Sequence, residues 1–137
     1  MRTSLFLSCF LLLASFSFAQ NISGIWHGFQ VYRDKGEYKE YRITVDLKMS
    51  DDSVKGTMQL KSPLKGMITS SLSGTIDKKG NLFLKEDGIL TEGVTAEDAK
   101  LCSYVLKVKE NSLNGKGRSK FKGYDHLKVR LQRKETY

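Results

Sequence analysis

The stretch KVKENSLNGKGRSKFKGYDHLKVR, residues 107–130, decides the fold, because it sets a lysine or arginine at nearly every second position. Extended strands send successive side chains to opposite faces. Lys107 and Lys109, then Lys116, Arg118, Lys120 and Lys122, then Lys128 and Arg130 leave one side, while Leu106, Val108, Leu113, Phe121, Leu127, Val129 and Leu131 leave the other. One face is a core and the other a positively charged sheet.

Upstream, the same period of two recurs between turn signals. Its clearest case is the run Tyr41, Ile43, Val45, Leu47, Met49, which alternates with Arg42, Thr44, Asp46 and Lys48. Strands are predicted over residues 22–33, 38–49, 54–61, 67–76, 82–90, 101–109, 113–120 and 126–133. Asp34-Lys35-Gly36, Ser50-Asp51-Asp52, Ser62-Pro63 with Lys65-Gly66, and Asp77-Lys78-Lys79-Gly80-Asn81 supply turn chemistry between them. The longest connection, residues 91–100, contains Thr95-Ala96-Glu97-Asp98, which reads as a capping box opening one helical turn or as a plain loop. Such a chain is all-β, and two architectures suit it: an eight-stranded antiparallel up-and-down β-barrel or a two-sheet β-sandwich. Hairpin-length connections favour the barrel, since a sandwich needs longer crossovers. Closure also removes the edge strands that invite aggregation.

Residues 1–19 carry Arg2, an apolar run from Leu5 to Leu13 and the small residues Ser17 and Ala19, the pattern of a secretory signal peptide. The apolar run is shorter than the roughly 20 residues of a membrane-spanning helix. The sequence therefore predicts an exported chain, secreted, periplasmic or held at the cell envelope. Its mature part, residues 20–137, is one domain of a size that builds a core without staples. Cys102 is then the sole mature thiol, in phase with Tyr104, Leu106 and Val108, and is expected to be buried. Charge is uneven: residues 20–103 hold 12 basic and 12 acidic side chains, whereas residues 104–137 hold 10 basic against 3 acidic. That asymmetry points to an anionic partner.

At its start the predicted barrel carries Gly24-Ile25-Trp26, and Arg133 lies in the inward phase of its last strand. This pairing resembles the calycin group of lipocalins, avidins and fatty-acid-binding proteins, and the small secreted bacterial β-barrel proteins akin to them. The resemblance implies that Trp26 closes one end of the barrel and packs on Arg133. An eight-stranded barrel has an interior that is filled by side chains or holds one small ligand, here expected to be apolar or amphipathic, and what points inward decides between them. With Trp26 inside, Gly28, Gln30 and Tyr32 face the lumen, joined by Tyr41 and Tyr104; Gly28 leaves space and the others supply polar handles. Trp26, Gln30, Tyr32, Tyr41, Tyr104 and Arg133 are the candidate ligand-binding residues, and the alternative is that the tyrosines simply fill a core. Ile25, His27, Phe29 and Val31 would then face outward, so either a bulge near Gly28 reverses the phase or this face packs against a second copy or the terminal segment.

Lys107, Lys109, Lys116, Arg118, Lys120, Lys122, Lys128 and Arg130 are the candidate anion-binding set, with Phe121 and Tyr124 interleaved. The anionic partner of an exported protein is a polysaccharide or lipopolysaccharide in preference to nucleic acid, and solvation alone is the plain alternative. No nucleophile motif and no metal-ligand spacing involves His27 or His126, and Gly115-Lys116-Gly117 lies in a strand and so is no phosphate cradle. The acid pairs Asp51-Asp52, Glu86-Asp87 and Glu97-Asp98 read as turns or solvated surface, since adjacent strand residues diverge. The expectation is a binding protein without catalytic residues, metal or cofactor, with a small-barrel isomerase or cyclase as the alternative.

Overall fold

The computed structural model describes residues 20–34, 36–62, 66–95, 99–119 and 127–134. Eight strands run in sequence order: β1 (Gly24–Asp34), β2 (Glu37–Ser50), β3 (Ser53–Ser62), β4 (Gly66–Ile76), β5 (Asn81–Ile89), β6 (Cys102–Lys109), β7 (Ser112–Ser119) and β8 (Leu127–Arg133). Each pairs antiparallel with the next, and β8 returns to β1. The sheet is a closed up-and-down barrel, so the sandwich is excluded. The expected leader over residues 1–19 and the capping-box residues 96–98 lie outside the described residues.

The inward phase of every strand is apolar over most of the barrel's length, which explains why closure is favourable. Ile43, Val45, Leu47, Val54, Leu82, Leu84, Leu106, Leu113, Val129 and Leu131 are all buried, and each contributes about 1.5–3 kcal/mol relative to exposure. The outward phase of β1 is real. Its register against β2 runs unbroken from Gly24↔Leu47 to Asp34↔Glu37, with no bulge at Gly28. Ile25 and Phe29 therefore stand on the outer surface.

Gly28 serves a different purpose from the one its sequence context suggested. A Cβ there would lie 1.7 Å from the Arg130 carbonyl oxygen, so the glycine lets β8 cross β1 at close range and does not open the lumen.

Candidate functional site

The barrel has two unlike ends. At one, the β2–β3, β4–β5 and β6–β7 turns meet the segment that leads into β1. Ile22 and Trp26 are fully buried there, and the Trp26 indole donates from Nε1 to the Ile22 carbonyl at 3.0 Å. Arg133, paired directly with Trp26 across the seam, sets its guanidinium 4.6 Å from the indole centroid. It also donates to the Asn21 carbonyl at 2.7 Å. The contact expected from the resemblance is present, and it makes a plug. Trp26 and Arg133 thus belong to the closed end and do not line the cavity described next.

At the opposite end the lumen changes character from apolar to polar. A cavity of about 80 Å³ opens there, lined by Gln30, Tyr32, Tyr41, Met58, Leu60, Ser62, Ile68, Ser70, Glu86, Ala99 and Lys100. Its volume falls below the 150 Å³ or so of an engineered apolar cavity that accepts benzene. The barrel is therefore solid over most of its length and hollow at one mouth, with room for the head of a small molecule.

Each polar group is placed by strand phase. Tyr32 and Tyr41, across the β1–β2 ladder, stack with centroids 5.1 Å apart and planes 24° apart, and their hydroxyls meet at 2.6 Å. Tyr104 lies over its cross-strand partner Gly117, where a Cβ would sit 2.7 Å from the ring. This steers the Tyr104 hydroxyl inward, where it donates to Glu86 Oε1 at 2.6 Å. Gln30 Nε2 in turn donates to the Tyr104 hydroxyl at 3.4 Å. The relay runs from amide to phenol to carboxyl, and it leaves Gln30 Oε1 buried without a partner among the described residues.

Glu86 is the residue that sequence reasoning missed. Beside Asp87 it reads in the sequence as a turn or solvated surface, yet Leu82 and Leu84 set an inward phase that continues to 86, and only Asp87 diverges outward. A register shift opposite Ser71 and Leu72 leaves Asp87 as the extra residue of a β-bulge. Burial pushes the Glu86 carboxyl up to about 7, against opposing hydrogen bonds from Tyr104 and Ser70. The sites of its neighbours are shifted the other way from reactivity: burial and the nearby Glu86 raise Cys102 to about 12, and its thiol donates to the Lys100 carbonyl. Cys102 is a buried, inert thiol, in agreement with its phase.

On the outside, Lys107, Lys109, Lys116, Arg118, Lys128 and Arg130 are all exposed. Lys116 stands directly opposite Lys128. Among the described residues no carboxylate forms an ion pair with any of these six, whereas Lys85 pairs with Asp87 at 3.8 Å. Lys120, Lys122, Phe121, Tyr124 and His126 lie outside the described residues. His27 points outward beside Thr44, and the described residues hold no group of three or more metal-ligating side chains. No family model matches the chain, and no curated protein matches it.

Proposed function

We propose that the protein is a calycin-like binding barrel of the exported class that takes the polar head of a small amphipathic molecule into its open end. The observation that carries this reading is Gln30 Oε1. It is an acceptor on a side chain only 5% exposed, left unpartnered among the described residues, on a residue that lines a cavity. A buried polar atom without a partner is worth about 1–3 kcal/mol of destabilisation, and a ligand donor relieves it.

Aromatic-ring NMR during titration with short-chain amphiphiles tests the reading. Tyr32 and Tyr41 signals should move while the Trp26 indole, at the plugged end, stays still. Unmoved tyrosines across such a panel, or movement at Trp26 alone, overturns it.

A second reading rests on the outer face. Like charges directly opposite across a ladder are destabilising, so Lys116 facing Lys128 points to a partner that supplies negative charge, such as an anionic polysaccharide or lipopolysaccharide. Retention on a sulfated polysaccharide should fall steeply with salt and should weaken in Lys116→Glu. Equal retention of the variant removes this reading.

A further inference from the structure

Beside the Tyr32, Tyr41, Ser62 and Ser70 hydroxyls and Lys100, two side chains that line the cavity offer acceptors, Gln30 and Glu86, and this restricts what can enter. Tyr104 has one proton, which goes to Glu86; its lone pair takes the Gln30 amide proton. Gln30, whose Oε1 lacks a partner among the described residues, and Glu86 both line the space. Two acceptors on one floor call for a ligand with at least two hydrogens to give. Beside them stand the stacked rings of Tyr32 and Tyr41, whose faces attract a cation.

We propose that the head recognised by this cavity is a primary ammonium group, held between Gln30 Oε1 and the Glu86 carboxylate, with the ligand's carbon chain leaving past Leu60 and Ile68. This rests on the binding-barrel reading above and narrows it to one ligand class. A hydroxyl gives a single hydrogen and no charge, and a carboxylate would place anion against anion. An ammonium supplies three donors and compensates the buried charge that Glu86 carries once ionised.

Binding is then linked to proton release. Glu86 gives up its proton to the solvent as the ammonium arrives, and no covalent bond changes. Of the other ionisable groups around this space, Tyr32, Tyr41 and Lys100 line it, while Tyr104 and Cys102 stand behind Glu86. Tyr32 comes from β1, Tyr41 from β2 and Tyr104 from β6, and Tyr104 is raised well above its ordinary value. Cys102, also from β6, is pushed up to about 12. Lys100 enters from the β5–β6 connection, at the mouth. The cavity-facing residues of β3 and β4, namely Met58, Leu60, Ser62, Ile68 and Ser70, do not ionise, nor do Leu127 and Val129 of β8 or Gly117 and Ser119 of β7.

Calorimetric titration of the folded protein with hexylamine, hexanol and hexanoate tests the assignment. Hexylamine should bind more tightly than the other two, and its affinity should fall by about tenfold per pH unit as the pH drops below that of half-ionised Glu86. Glu86→Gln should weaken hexylamine by about 10- to 100-fold and abolish that pH dependence, while hexanol changes little. Hexanol or hexanoate binding as tightly as hexylamine, or a pH-independent hexylamine affinity in the unmutated protein, overturns the ammonium assignment and leaves the binding barrel standing. No heat and no tyrosine shift with any of the three overturns both.

Discussion

Replacing Glu86 by Gln converts the electrostatics of the cavity into a stability measurement. In the unfolded chain this carboxyl titrates near its ordinary value of 4.5, and in the barrel burial holds it at about 7. The folded state binds the proton more tightly, so the neutral form is the one the fold favours. The stability that protonated Glu86 contributes is complete below 4.5, declines as pH rises toward 7, and is gone above it. At about 1.4 kcal/mol per unit, the difference between the two values amounts to about 3 kcal/mol, a large share of a small domain's 5–15. Urea unfolding of both proteins, followed by far-ultraviolet circular dichroism from about pH 4 to about pH 8.5, isolates the effect as the difference between their stabilities. That difference should shift by about 3 kcal/mol against the unmutated protein as pH rises, because every other titrating group cancels. A flat difference, or one that shifts in favour of the unmutated protein, would mean that Glu86 is ionised in the folded barrel and would refute the account of the cavity floor.

The plug and the seam yield two further outcomes. Arg133→Met removes the cation over Trp26 and the hydrogen bond to Asn21, and should cost about 1–3 kcal/mol in urea with a red shift of Trp26 emission; a loss near zero would show that the plug is held by Ile22 alone. Gly28→Ala drives a methyl into the Arg130 carbonyl and should cost about 3 kcal/mol or more by thermal unfolding, whereas Gly88→Ala, whose nearest neighbour is 3.8 Å away, should stay within about 1. Equal stability of the two variants would contradict the close crossing of β1 and β8.

Strand positions were legible because alternation of apolar and polar residues carries them directly. Tyr41 to Met49 reads as β2, and Leu106 and Val108 against Lys107 and Lys109 read as β6. Barrel closure followed from connection lengths, and the meeting of Trp26 with Arg133 followed from their phases. Other features depend on what lies across the ladder. Gly28 looked like lumen space, but its role is set by the Arg130 backbone, which no feature of β1 reveals. Glu86 was legible in principle through Leu82 and Leu84. It was passed over because an acidic pair ordinarily marks solvent, and because the bulge at Asp87 depends on register against β4. The division of the lumen into a solid part and a hollow mouth also escaped, since it reflects how deeply each inward residue sits along the axis.

The seam between β1 and β8 joins residues about a hundred positions apart, Trp26 with Arg133 among them, while every other ladder links strands adjacent in sequence. Seven hairpins can form locally and quickly, but the eighth pairing must wait for the whole ribbon to curl. Damage confined to the last strand would therefore strand two raw sheet borders in an otherwise well-formed ribbon, and its molecules would be expected to find each other before they found themselves.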